Sequence, residues 1–159
     1  MNLIPSFSID HRKLKPGLYV SRIDKTGDTW ATTFDVRMKR PNAESAIAPA
    51  ALHTIEHIVA TELRNNPVWK DEIIYWGPMG CLTGNYFIVK GLRRPEEVRE
   101  PLLDAFRALA NWQGDIPGAT DECCGNSRLH DLEGAKREAA IYVGVLENLK
   151  KGEMEYDRS

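Results

Sequence analysis

The stretch Gly17-Leu18-Tyr19-Val20-Ser21-Arg22-Ile23, Asp24-Lys25-Thr26-Gly27-Asp28, Thr29-Trp30-Ala31-Thr32-Thr33-Phe34-Asp35-Val36-Arg37-Met38 decides the architecture. Two runs carrying Val, Ile, Thr, Tyr and Phe in partial alternation flank a turn-forming segment, which predicts an antiparallel hairpin. Beyond it, Leu52, Ile55, Val59 and Leu63, with Ile58 beside them, keep the three-and-four spacing of a helix from about Pro49 to Arg64, where Asn65-Asn66-Pro67 stops it. Glu72–Trp76 and Asn85–Leu92 read as a second pair of strands, joined by a glycine-rich turn that holds Cys81. A further helix starts near Pro95 with Val98, Leu102, Phe106 and Leu109 inward, and Pro101 either kinks it or delays its start. After a loop containing Ile116-Pro117-Gly118, Asp131 is the expected N-cap of a last helix through Ala135, Ala139, Tyr142, Val143 and Leu146. The order β-β-α-β-β-α-α predicts an α+β fold: an antiparallel sheet of about four strands with helices packed on one face.

The 159 residues suit a single domain, 1–159, with the polar stretch 150–159 expected to fray. Lys and Arg number 21 against 23 Asp and Glu, a net charge of -2, so no basic field exists to hold a phosphate backbone, and nucleic acid is not an expected partner. No apolar run approaches the ~20 residues of a bilayer span, and Met1–Ser6 lacks the basic start and apolar stretch of an export signal. The expectation is a cytoplasmic protein without a membrane partner. Three cysteines, an odd count, argue against a disulfide framework and for packing, metal ligation or chemistry.

His53-Thr54-Ile55-Glu56-His57 puts two imidazoles at i and i+4, on one face of the expected helix and about 5–6 Å apart, a spacing suited to one metal ion. Glu56 borders that face and can reach a ligand without binding metal. A pair of ordinary surface or core histidines is the bland alternative, which the intervening Glu and the Cys123-Cys124-Gly125 loop weigh against. Candidates for a third ligand are Cys123, Cys124, His130 and His11, and spacing does not choose between the two cysteines. Cys81 follows a glycine in its turn, where the charge of a nearby metal would lower its pKa and make the thiol a proton carrier; alone it would read as a small buried hydrophobe. Gly80–Gly84 lacks the Lys-Ser/Thr end of a phosphate-binding loop.

Taken in order, His53-Thr54-x-Glu56-His57, Pro78-Met79-Gly80-Cys81-x-Thr83-Gly84, and Cys124-Gly125 followed by His130 and Leu132-Glu133-x-Ala135 resemble the S-ribosylhomocysteine lyase (LuxS) family. Ser6-Phe7, Asp10-His11-x-Lys13, Phe34-Asp35-x-Arg37 and Pro41-Asn42 extend the resemblance over roughly residues 4–146. It implies a homodimer with active sites at the subunit interface, each subunit holding one Fe2+, with Zn2+ or Co2+ as substitutes. It further implies His53, His57 and Cys124 as metal ligands, Glu56 and Cys81 as the general acid/base pair, and Ser6, His11 and Arg37 as substrate contacts, some reaching across the dimer. The implied reaction moves the sugar carbonyl by two enolisations and then expels homocysteine by β-elimination, leaving 4,5-dihydroxy-2,3-pentanedione, the autoinducer-2 precursor.

The chain departs from the family pattern at Tyr75, where an Asp is usual, at Gly77 in place of a Ser, and at Leu82 in place of a polar residue, while Cys123 adds a second thiol. These changes cluster at the expected substrate turn. Two other readings follow: a divergent relative with an altered substrate or with ligand or metal binding only, and an inverzincin-type metallohydrolase, whose H-x-x-E-H signature is shared.

Overall fold

The computed structural model describes residues 7–150 and 153–156. The hairpin consists of β1 (Gly17–Thr26) and β2 (Thr29–Arg37), with Thr26 opposite Thr29. Gly27 takes φ +60° at the first of the two turn positions, a left-handed conformation that hairpin turns favour because it matches the twist of the strands. Helix α1 (Pro49–Asn65) follows with proline in its first turn and buries Leu52, Thr54, Ile55, Ile58, Val59 and Leu63 as one stripe.

Strands β3 (Ile73–Pro78) and β4 (Gly84–Lys90) form the second pair, and β4 also pairs with β2, so the antiparallel sheet runs β1-β2-β4-β3. Gly84 is needed where β4 meets Arg37, because a Cβ there would press on the Val36 carbonyl. Helix α2 (Pro95–Ala110) begins at Pro95, its first turn closed by the Arg94 N–H donating to Glu97 Oε2 at 2.8 Å, and Pro101 lies buried within it rather than at its start. Helix α3 (Leu132–Asn148) is capped as its sequence predicts, the Gly134 N–H donating to Asp131 Oδ1 at 2.8 Å.

Alternation sorts the sheet into two faces. Phe34, Val36, Phe87 and Val89, all 0% exposed, face the helices and meet Ile55, Phe106 and Tyr142; each such burial contributes roughly 1.5–3 kcal/mol. α1 packs on β3 and on both other helices, while α2 and α3 reach β1, so one face of the sheet is covered.

The other face carries Tyr19, Asp35, Tyr86 and Gly77 in one row across β1, β2, β4 and β3. Residues 153–156 return to this face instead of fraying: Met154 is 4% exposed, and Tyr156 stacks on Tyr19 at 5.0 Å and donates to Asp35 Oδ2 at 2.6 Å. The polar composition of the tail predicted otherwise because its anchor, a buried carboxylate on β2, lies more than a hundred residues away in sequence.

Candidate metal centre and acid/base site

Helical spacing in α1 sets the His53 and His57 rings edge to face, 4.7 Å apart. Each gives its Nδ1 proton to a backbone carbonyl of the loop between α2 and α3: His53 to Leu129 at 2.7 Å and His57 to Pro117 at 2.7 Å. A carbonyl only accepts, so both rings are held as the tautomer whose Nε2 lone pair is free for a metal. Gly118, at φ +67°, lets the chain turn directly beside the His57 ring.

The same loop delivers Cys124, whose Sγ stands 3.4 Å from His53 Nε2 and accepts the Asn126 N–H at 3.4 Å. Cys123 is exposed and outside this group. Donor atoms of His53, His57, Cys124 and His130 all lie within 4.8 Å of one another. A tetrahedral site with ligand bonds of about 2.0–2.3 Å has edges of about 3.3–3.6 Å, and the 3.4 Å between Cys124 Sγ and His53 Nε2 already falls in that range. Imidazole nitrogens with a thiolate suit Fe2+ or Zn2+ in softness.

His130 has a distinct place. Thr54 donates its only hydroxyl proton to the Ala50 carbonyl at 2.9 Å, so its oxygen, 3.1 Å from His130 Nδ1, accepts from that nitrogen. His130 Nε2 is therefore an unprotonated acceptor, and it is buried without a partner among the described residues. Burial first, and then the neighbouring His53 and His57, hold the His130 pKa below its ordinary value. Its ring lies face to face with His53, 4.1 Å away and 17° from parallel.

Glu56 and His53 line a cleft of about 360 Å³ whose opposite wall is the Pro78-Met79-Gly80 turn and Leu82. That turn is closed by the Met79 N–H to the Gly84 carbonyl and the Leu82 N–H to the Met79 carbonyl, both at 2.9 Å, and Leu82 adopts φ +60°. Left-handed backbone costs a branched residue about 1–2 kcal/mol, a strain held at the turn that presents Cys81.

Around Cys81, Arg37 NH1 donates to Thr83 Oγ1 at 2.6 Å and lies 3.7 Å from the sulfur. Thr83 thus accepts from Arg37 and keeps its own proton available for Cys81 Sγ, 3.1 Å away, once the sulfur is a thiolate and can only accept. Burial pushes the Cys81 thiol up, but the hydrogen bonds from Thr83 and the charge and hydrogen bond of Arg37 outweigh it, and the pKa falls below the ordinary thiol value.

Arg37, 3% exposed, also donates to Asp35, Nε to Oδ1 at 3.0 Å and NH2 to Oδ2 at 2.7 Å. The residue expected to contact substrate thus directs its guanidinium to Asp35, Thr83 and the Cys81 sulfur. His11 donates through Nδ1 to the Ile9 carbonyl at 2.9 Å and is not part of the metal-donor cluster. Ser6 lies outside the described residues.

Two of the departures form one unit: a Cβ on Gly77 would collide with the Tyr75 hydroxyl, so the glycine makes room for the tyrosine ring. Thr54, Asp35 and Thr83 entered the sequence reading only as motif companions of other residues. The Leu129 and Pro117 carbonyls leave no side-chain signal at all.

A family model described as S-Ribosylhomocysteinase (LuxS) matches residues 4–152. The chain is 53% identical over 157 residues to a protein of Phocaeicola vulgatus, with 98% of each chain covered. It is 49% identical over 143 residues to a protein of Porphyromonas gingivalis, covering 90% of each, and 47% identical over 156 residues to one of Borreliella burgdorferi, covering 98% of this chain and 99% of the other. All three relatives carry the name S-ribosylhomocysteine lyase.

Proposed function

The chain belongs to the S-ribosylhomocysteinase (LuxS) family, and on that premise we propose that it cleaves the thioether of S-ribosylhomocysteine to homocysteine and 4,5-dihydroxy-2,3-pentanedione. The observation that carries this reading is the cleft itself, with the His53 and Glu56 side of α1 on one wall and the turn bearing Cys81 on the other.

His53, His57 and Cys124 hold one Fe2+ per subunit, with Zn2+ or Co2+ as substitutes. His130, stacked on His53 at 4.1 Å, would stand beside these three ligands rather than among them. When bound, the ion supplies Lewis-acid stabilisation of the oxyanion charge that carbonyl migration develops.

Glu56 lines the cleft, and Cys81 sits in the turn whose neighbours Gly80 and Leu82 line it. Held by Thr83 and Arg37, the Cys81 thiolate removes the proton from the carbon beside the carbonyl and returns it to the former carbonyl carbon, while Glu56 carries the hydroxyl proton from one oxygen to the other. Removal of the last carbon-bound proton expels the thioether sulfur, which leaves as homocysteine. Arg37 acts on this chemistry through the thiolate it faces. Ser6, His11 and Arg37 contact the substrate, some of them reaching across the interface of a cytoplasmic homodimer.

Metal-loaded protein, incubated anaerobically with S-ribosylhomocysteine and a disulfide reagent, is expected to release free thiol. Cys81→Ser and Glu56→Gln are each expected to lower turnover by at least about 10²-fold, the low end for a lost acid/base group, with metal content unchanged. No thiol release with Fe2+ or Co2+ loaded would refute the lyase reading. Sedimentation at micromolar concentration tests the dimer, a monomer counting against it.

A further inference from the structure

The sheet face opposite the helices carries an unbroken chain of contacts from the C-terminal segment to the acid/base thiol. Tyr156 Oη donates to Asp35 Oδ2 at 2.6 Å, the same oxygen that accepts from Arg37 NH2 at 2.7 Å. Arg37 then reaches Thr83 and the Cys81 sulfur through NH1. Asp35 and Arg37 are both buried, with side chains 2% and 4% exposed, so water does little to screen one link from the next. Tyr156 is fixed independently by its ring, which stacks on Tyr19, and by buried Met154 two residues earlier.

We propose that Tyr156 is a positioning residue for the acid/base chemistry: by donating to Asp35 it takes up part of that carboxylate's charge, leaving more of the Arg37 charge for Cys81. The C-terminal segment is then part of the catalytic apparatus, acting through two intermediaries and touching no reacting atom. This inference rests on the reading of Cys81 as an acid/base group. A carboxylate shared between a phenol and a guanidinium neutralises the guanidinium less than one paired with it alone.

The other titratable groups that feel the Asp35–Arg37 pair are Tyr19 on β1, Tyr86 on β4 and Tyr142 on α3, with Glu153 beside Tyr19 and Arg22 beside Tyr86. Burial first, then the Asp35 charge, raises all three phenols and Tyr156 above their ordinary value, so they stay neutral in the range where Cys81 titrates.

The test is the pH dependence of Cys81 alkylation by iodoacetamide in the metal-loaded, full-length protein, read by mass spectrometry of the peptide containing Cys81 so that Cys123 and Cys124 do not contribute. Tyr156→Phe keeps the ring and its stacking but removes the donor. It is expected to move the alkylation profile to higher pH, with a rate at pH 7 lowered about threefold, the effect of a half-unit shift. Asp35→Asn removes the charge competing for Arg37 and is expected to move the profile to lower pH. A Tyr156→Phe profile that coincides with wild type, or that moves in the same direction as Asp35→Asn, overturns the proposal. Alkylation needs no turnover, so protein that releases no thiol from S-ribosylhomocysteine but still shows the opposed shifts refutes the lyase reading and leaves the Tyr156 link standing.

Discussion

Thr54 stands within the His53–His57 motif yet faces inward, and its hydroxyl organises three neighbours. It donates to the Ala50 carbonyl and accepts from His130 Nδ1 and from the Asp131 N–H at 3.0 Å. Thr54→Val keeps the shape but strips His130 Nδ1 of its acceptor, while the Asp131 N–H keeps the Ala50 carbonyl at 3.2 Å, so a loss of about 1–3 kcal/mol is expected in denaturant unfolding, the usual cost of a buried polar group left unpaired. The cysteines separate in the same way. Cys124→Ala is expected to lower metal affinity by at least about tenfold, while Cys123→Ala leaves it unchanged; equal metal retention in titration against a competing chelator would contradict that assignment. The i,i+4 histidines were legible because a helix fixes their spacing locally. The choice of cysteine was not, since it depends on how the loop turns: the Thr120 carbonyl accepts from both Cys123 and Cys124 N–H groups, and the chain beyond directs only the second sulfur toward α1.

At the level of elements, structure follows sequence wherever a local rule has few competitors. Proline at the start of α1, the Asp131 cap of α3, the glycine turn of the first hairpin and the apolar stripe of α1 are all satisfied within a few residues of where they are encoded. Pro101 shows how context overrides such a rule, since α2 runs through it once Glu97 has closed the first turn. The sheet order required more than local rules: β4 joins both hairpins because its Phe87 and Val89 are needed beside Phe34, a packing demand that periodicity does not express. The α3 cap also bears on the site, because Asp131 follows His130 directly. Asp131→Ala is expected to cost about 1 kcal/mol, or about 2–4 °C in melting temperature for a chain of this size. A shift below half a degree would mean that the cap contributes little.

Across the whole molecule, the candidate centre works as a clasp. Its donors come from α1 and from the loop and junction leading into α3, and the hydrogen bonds from His53 to Leu129 and from His57 to Pro117 cross the same seam. The sheet, by contrast, is held by a continuous apolar layer that owes nothing to an ion. Removing the metal is therefore expected to act unevenly. With free metal at about a thousand times its dissociation constant, bound metal adds about 4 kcal/mol to the stability of a folded state that alone binds it. Chelation should lower the melting temperature accordingly. Hydrogen exchange locates the effect: amides of residues 116–131 are expected to lose protection on chelation, because a loop without regular structure opens locally once its ties are gone, while amides of β2 and β4 keep theirs apart from the global loss. Uniform deprotection of sheet and loop would instead mean that the ion is integral to the core, and an unchanged melting temperature would mean that the four clustered donors hold no metal in solution.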